Sequence, residues 1–329
     1  MRRNMDGDRW ILSVDGGGTK TDLLLLNSPE RYGIQMTGRG ANPNVHGASG
    51  LDTMEGLITD ALGHVGGKDG DVRECITGMA GISNPKYRTD LEGRMSVLLP
   101  KAELRLTTDA ELAHRGVWGD GAGITLVVGT GSIAVGTDQS GNMRRAGGFG
   151  FQSGDEGGGF WLGKMILAEL IAGERSTATD ISEMREKVLE HAGQSNLEET
   201  LSLLSAGRES VMKVANLAPV ILECAESGNF LASQIVIRGV EALVSLMEEL
   251  LEKLPIKSSE PSVGISGSLI CGSSYYRNLV GSELSTLFNA VHWRQSDFPP
   301  VYGGLVLSGE GISTEDFPKI RVEHVQPSR

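Results

Sequence analysis

The chain has 329 residues, 39% hydrophobic and 22% charged, with a net charge of −12. That is the balance of a globular protein long enough for two domains with separate cores. No dense Lys/Arg block accompanies the acidity, which argues against nucleic acid or an anionic membrane as main partner. Three cysteines, Cys75, Cys224 and Cys271, lie far apart without CxxC or metal spacing, so a reducing compartment and no structural zinc are expected. No apolar stretch is read as approaching the ~18–20 residues of a membrane span. The Met1–Asp6 segment lacks the apolar core of a signal peptide. The expected location is the cytoplasm.

In chain order, Trp10 to Val14 reads as a strand and leads into Asp15, Gly16, Gly17, Gly18, Thr19, Lys20 and Thr21. The following Asp22 to Leu26 again favours a strand, so the segment predicts a β-hairpin with a glycine tip. Backbone N–H groups at such a tip suit a phosphate, and Asp15 at its edge suits a hydrated Mg²⁺. A P-loop is excluded because Gly16 to Lys20 is too compact, and a dinucleotide fingerprint because a strand follows the glycines. For a single turn, an ordinary tight hairpin remains an equal reading.

Residues 31–40 predict a third strand, residues 47–65 a helix, and Val72 to Met79 a strand ending in a small-residue turn. Pro85 to Leu99 is amphipathic and stopped by Pro100. Ala102 to Thr107 alternates as a strand and delivers Thr108, Asp109 and Ala110 at its carboxyl end, where open α/β sheets bind ligands. Asp109 has two readings that can coexist, the N-cap of a helix over 110–117 and a catalytic carboxylate.

Residues 124–136 then repeat the pattern: an apolar strand, the turn Gly129, Thr130, Gly131 and Ser132, and a returning strand. A short strand over 142–148 and a helix from about Phe160 follow, as they do after the first hairpin. Duplicated β-β-β-α units with a phosphate turn in each imply two similar domains facing one nucleotide in a cleft. Residues 146–159 hold seven glycines around Asp155 and Glu156. They read either as a flexible linker or as a loop holding sugar hydroxyls or capping the next helix. Residues 160–254 are largely helical, 255–261 form a loop, and Ser262 to Ser266 is a strand running into Gly267 and Ser268. That last junction is a plain strand–helix turn or a close approach for a nucleotide's sugar or phosphate.

Taken together and in this order, these pieces resemble the BadF/BadG/BcrA/BcrD ATPase family, with its N-acetylglucosamine kinases, in the sugar kinase/Hsp70/actin superfamily. The resemblance implies an α/β fold of two actin-like (ribonuclease H-like) domains, residues 1–120 and 121–329, with a nucleotide- and sugar-binding cleft between them. It implies that Gly16, Gly17, Gly18, Thr19 and Lys20, and again Gly129, Thr130, Gly131 and Ser132, bind ATP phosphates. Asp15 corresponds to the Mg²⁺ residue, Asp109 to the general base, and Gly267 and Ser268 to the adenosine side. Asn42, Asn44, Asp109, Gly147, Gly148 and Asp155 correspond to the sugar site.

Two positions depart from the animal enzymes: Ile133 stands for an Asn and Asn44 for a Trp. The expected activity is ATP-dependent 6-phosphorylation of N-acetylglucosamine or glucosamine. The alternatives are a kinase for N-acetylmuramate or glucose, or an ATPase activating a dehydratase or reductase partner. Cysteine ligands for the iron–sulfur cluster of such activators have no evident counterpart. The family further suggests a homodimer.

Overall fold

The computed structural model describes residues 10–327 apart from 152–153, 174–177, 206–209 and 255–260. The Met1–Asp6 segment and most of the 255–261 loop lie outside the described residues. The strands are β1 (Trp10–Gly16), β2 (Lys20–Asn27), β3 (Tyr32–Arg39), β4 (Val72–Met79), β5 (Glu103–Thr107), β6 (Gly123–Val128), β7 (Ser132–Thr137), β8 (Met143–Gly147), β9 (Ser262–Ser266), β10 (His292–Arg294) and β11 (Arg321–Val325).

The chain divides into two compact units, one made of Met1–Asp120 with Ser296–Arg329, the other of Gly121–Gln295. In the first, the sheet order is β11-β3-β2-β1-β4-β5. β1, β2 and β3 form an antiparallel meander, while β4 and β5 run parallel to β1. In the second the order is β10-β9-β6-β7-β8. There β6, β7 and β8 form the meander, β9 joins β6 in parallel, and β10 joins β9 in parallel. Counted from the meander, both sheets have the order third, second, first, fourth, fifth. The repeat read from two glycine turns is therefore a repeat of topology.

Alternation along β1 and β2 explains how the first sheet is covered. Leu12, Val14, Leu23 and Leu25 face one side, where helix Ala48–Val65 contributes Leu51, Met54, Leu57 and Ile58. Ile11, Leu24 and Leu26 face the other, against Leu112 of helix Asp109–Trp118.

The final segment, expected with the second domain, instead completes the first unit. Phe298, Tyr302 and Phe317 form an aromatic cluster with centroids 4.9–5.4 Å apart. Together with Val301 and Leu305 they cover Ile11, Leu24, Leu26 and Ile76. Ser13 Oγ donates to the Val301 carbonyl at 2.6 Å, and β11 pairs in parallel with β3. Two buried faces need two covers, and on the second face this segment joins Leu112 of helix Asp109–Trp118.

The second core is dominated by helices. Helix Phe230–Lys253 is long and apolar enough to span a membrane by length and hydropathy, which corrects the reading that no stretch approaches that length. In this unit its Ile235, Val236, Leu243, Met247 and Leu250 lie in the core. Arg238, Glu241, Glu248 and Glu249 interrupt the apolar run in sequence while leaving that face continuous.

Candidate active site

In the first unit the parallel register places Asp15 opposite Gly78, and Gly78 opposite Thr107. The carboxyl ends of β1, β4 and β5 therefore line one edge of the sheet. The glycine turn lies at this edge. Gly17 N–H donates to the Lys20 carbonyl at 3.0 Å, and the Gly17 carbonyl accepts from the N–H groups of Ala41 and Asn42 at 3.1 and 3.0 Å. Ala80 N–H reaches the Gly16 carbonyl at 3.0 Å, and His46 Nε2 lies 2.7 Å from the Gly18 carbonyl. A Cβ on Gly16 would stand 3.3 Å from Met79 Cε and 3.6 Å from Ala41 Cβ. Here glycine permits close approach rather than a left-handed backbone.

The helix after β5 starts one residue earlier than expected, and its N-cap is Thr108, whose hydroxyl accepts from Glu111 N–H at 3.1 Å. Asp109 is the first helical residue, so the capping alternative passes to its neighbour. Its carboxyl accepts from the N–H of Ala110 and its own N–H, yet burial raises it above the usual carboxylate range. Asp15 is raised well above that range, first by burial, then by Asp109 and Asp22, with Lys20 pulling the other way. Both side chains keep some accessible surface, but their dense surroundings leave the charged forms poorly solvated.

Asp22, the residue paired with Asp15 across the hairpin, is 1% exposed. Thr37 Oγ1 donates to it at 2.6 Å, and Lys20 Nζ pairs with it at 2.6 Å. Asp22 was not singled out by the sequence, because it opens a leucine run and reads as strand. Lys20, expected on phosphate, is here engaged with this carboxylate.

The half-buried Asp15 and Asp109 and the buried Asp22 gather negative charge against one paired ammonium, a charge balance that suits a hydrated divalent cation. Among the described residues no cluster of three or more His, Cys, Asp or Glu side chains has metal-holding geometry. Such a cation would therefore meet Asp15 largely through its own water.

Asn42 and Asn44 stand beside the turn after β4. Asn42 Oδ1 caps the short helix Pro43–His46 by accepting from Asn44 N–H at 2.9 Å. A Cβ on Gly81, whose φ is +84°, would lie 2.5 Å from Asn44 Nδ2 and 3.1 Å from Asn42 Oδ1. Both amides thus reach the same edge as Asp15 and Asp109, and Asn42 has a structural task as well.

In the second unit the turn Gly129–Ser132 is held by Gly129 N–H to the Gly131 carbonyl at 2.9 Å. Gly159 and Phe160 N–H bind the carbonyls of Gly129 and Thr130 at 2.8 and 2.9 Å, docking the turn on the N-terminus of helix Gly159–Ala172. These N–H groups are satisfied by the turn, so the helix N-terminus adds its dipole there rather than free donors. Ser132 Oγ donates to the Glu156 carbonyl at 2.7 Å. Gly267, with φ +94°, and Ser268 N lie 3.9 and 3.8 Å from a Cβ placed on Gly129.

Asp155 lies directly against Gly131 and accepts from Gly150 N–H at 3.3 Å. It holds a left-handed φ of +63°, unusual for a residue other than glycine. Gly147 and Gly148 have φ of +66° and +68°; Cβ atoms there would lie 2.5 Å from Leu246 Cδ1 and Ile133 Cδ1. The 147–157 loop is thus built on the Gly129–Ser132 turn rather than being a free linker, and Ile133 abuts it. Gln152 and Ser153 of this loop lie outside the described residues.

The matching family model spans residues 12–305 and is that of the BadF/BadG/BcrA/BcrD ATPase family. The chain belongs to this family. This BadF-family chain is 26% identical over 280 residues to the N-acetyl-D-glucosamine kinase of Dictyostelium discoideum, covering 79% of itself and 85% of that protein. It is 23% identical over 269 residues to the N-acetylmuramic acid/N-acetylglucosamine kinase of Clostridium acetobutylicum, covering 81% and 87%. A solved structure from Chromobacterium violaceum, provisionally named an N-acetylglucosamine kinase, superposes with a TM-score of 0.72 at 22% identity, covering 92% and 99%. The fold is that of the actin-like sugar kinases, as the family resemblance implied.

One stability prediction follows from the helix that carries Asp109. His114 is buried, and burial first, then the adjacent Arg115, push its imidazole down from 6.5 to about 4. The unfolded chain therefore takes up this proton first as pH falls. The stability that His114 preserves is intact above about 6.5 and is lost progressively toward pH 4, by roughly 3 kcal/mol. Urea melts at pH 7 and 4.5 are expected to show a smaller drop for His114→Gln than for the unaltered protein. An equal drop in both would show that His114 does not carry this dependence. The raised carboxyls of Asp15 and Asp109 act in the opposite sense, so the paired comparison isolates the imidazole.

Proposed function

We propose that this protein is an ATP-dependent kinase that phosphorylates the primary hydroxyl of an amino sugar, N-acetylglucosamine or glucosamine, giving the 6-phosphate. The observation that carries the reading is Asp109. It is relieved of capping by Thr108, raised by burial, and set on the same sheet edge as Asp15 and the first glycine turn. A carboxylate with raised proton affinity beside a phosphate-type turn suits removal of a hydroxyl proton during phosphoryl transfer. The names of the two curated relatives support an amino sugar as acceptor.

In this mechanism Gly16, Gly17, Gly18 and Thr19 of the first turn, with the Lys20 ammonium, bind ATP phosphates. The turn Gly129–Ser132, backed by a helix N-terminus, contributes a second set of donors, and Gly267 and Ser268 serve the adenosine end. Asn42, Asn44, Gly147, Gly148 and Asp155 hold sugar hydroxyls, so that the 6-oxygen attacks the γ-phosphorus in line while Asp109 accepts its proton. Mg²⁺, which Asp15 would hold through water, would supply charge neutralisation of the phosphates. Positioning and charge stabilisation dominate the rate, and the base adds about 10²–10⁴-fold. A cytoplasmic homodimer completes the reading. The location rests on scattered thiols, two of them buried, and the dimer on the family resemblance.

The Clostridium relative favours a second reading, in which N-acetylmuramate is also accepted. ADP release should be followed by a coupled assay with Mg²⁺·ATP against N-acetylglucosamine, glucosamine, N-acetylmuramate and glucose, with a no-sugar control. Strong stimulation by an amino sugar is expected. Hydrolysis equal with and without every sugar would overturn the kinase reading and point to an ATPase serving a protein partner.

A further inference from the structure

Arg39, the last residue of β3, stands directly opposite Lys20 in the β2–β3 pairing. Residues opposite one another in antiparallel strands present side chains to the same face. A side chain at the neighbouring Gly38 would point at Leu57 of helix Ala48–Val65, its Cβ 3.3 Å from Leu57 Cδ1. By alternation, Arg39 projects to the other face.

That other face is the one with the chemistry. It carries Lys20 and Asp22 two residues apart, Thr37 opposite Asp22, and Asp15 opposite Asp22 on the far side. It is also the face on which helix Asp109–Trp118 packs, through Leu112 against Ile11, Leu24 and Ile76. Asp15 senses the charges of Asp109, Asp22 and Lys20 in turn, so these groups are neighbours. Arg39 is exposed and, among the described residues, makes no hydrogen bond or ion pair.

Charge creates the need that Arg39 meets. A phosphate arriving at a face with three carboxylates and one ammonium is repelled unless further positive charge is present. Lys20 is already committed to Asp22, while the planar guanidinium of Arg39 matches phosphate oxygens two at a time. The face also selects which phosphate. The group transferred must lie near the acceptor hydroxyl and so near Asp109. Arg39 stands beside Lys20, next to Asp22 and Asp15, and Asp15 in turn neighbours Asp109. The Arg39 cation is therefore suited to the transferred phosphoryl rather than to the diphosphate that departs.

We propose that Arg39 binds the terminal phosphate of the nucleotide, with Lys20 exchanging Asp22 for that phosphate as it enters. This rests on the kinase reading above. It makes Arg39 a phosphate-binding residue and Asp22 the residue that positions Lys20 beforehand.

The test is calorimetric titration of the full chain with Mg²⁺ and either ADP or a non-hydrolysable ATP analogue, for the unaltered protein, Arg39→Gln and Arg39→Lys. Arg39→Gln is expected to weaken the ATP analogue by at least about tenfold and ADP by less than about twofold. Arg39→Lys should recover part of the loss, because a point charge replaces a fork. Thermal melting should show all three proteins equally folded, since the Arg39 side chain makes no bond among the described residues. Equal weakening of both nucleotides, or none, would overturn the assignment while leaving the kinase reading standing. If the unaltered chain binds neither nucleotide, the kinase reading falls, and this proposal falls with it.

Discussion

Replacing Asp109 with Asn is expected to lower kcat by at least about 10²-fold while sparing ATP binding, and at the same time to stabilise the nucleotide-free protein at neutral pH. The first effect follows from losing the proton acceptor while keeping its shape. The second follows from the raised affinity of its carboxyl for protons. A carboxyl raised on folding helps stability below its unfolded value near 3.8 and loses that help as pH rises through the folded value. At neutral pH the ionised side chain sits in poorly solvating surroundings next to Asp15, and the neutral amide removes that burden. Single-turnover kinetics and melting curves from pH 5 to 8 check both halves together. A variant with near-native turnover, or one destabilised across that range, would remove Asp109 from the role of base.

The second large effect is expected at Gly131. A Cβ there would lie 2.8 Å from Asp155 Cγ and 3.2 Å from its Cβ, and closer still to a carboxylate oxygen. Asp155 has little freedom to retreat, since its backbone is left-handed and its carboxylate is tied to Gly150 N–H at 3.3 Å. Gly158 blocks movement of the turn itself, because a Cβ on it would already be 2.7 Å from Gly131 Cα. Gly131→Ala must therefore shift the Gly129–Ser132 turn and Asp155 together. KM for ATP and KM for the sugar are expected to rise together, each by at least about tenfold. Gly93→Ala on helix Pro85–Leu98, where a Cβ meets nothing within 4 Å, is the matched control and should leave both constants unchanged. A change in only one constant for Gly131→Ala would break the claimed coupling between turn and loop.

The sequence made the turns and their repetition legible because backbone needs there are met by one residue type. Three glycines at Gly16–Gly18, and Gly-Thr-Gly-Ser at 129–132, stand between runs whose apolar alternation marks strands. β4 and β9 were legible to the residue, being short apolar runs bounded by small ones. The cap was misread by one position since Thr108 and Asp109 are both good N-caps. The choice rests on which backbone is extended, and Thr108 has ψ 153°. The return of residues 296–329 was hidden for another reason. β11 is largely exposed and lacks a core-facing alternation, and the aromatic cluster reads equally well against either sheet. The left-handed backbone of Asp155 and the burial of Asp22 are consequences of tertiary packing, and no local pattern announces them.

The path of the chain has a consequence for how the protein is made. The second unit is one uninterrupted stretch, Gly121–Gln295, inserted in a first unit whose last strand spans Arg321–Val325. Emerging from the ribosome, the insert has all of its residues before its host does. The host must wait, with one face of β1 and β2 covered only by helix Asp109–Trp118, until the aromatic segment near Phe298, Tyr302 and Phe317 arrives. The half that carries Asp15 and Asp109 is thus the last to close, and a synthesis halted near residue 295 would yield a finished second unit attached to an open hydrophobic sheet.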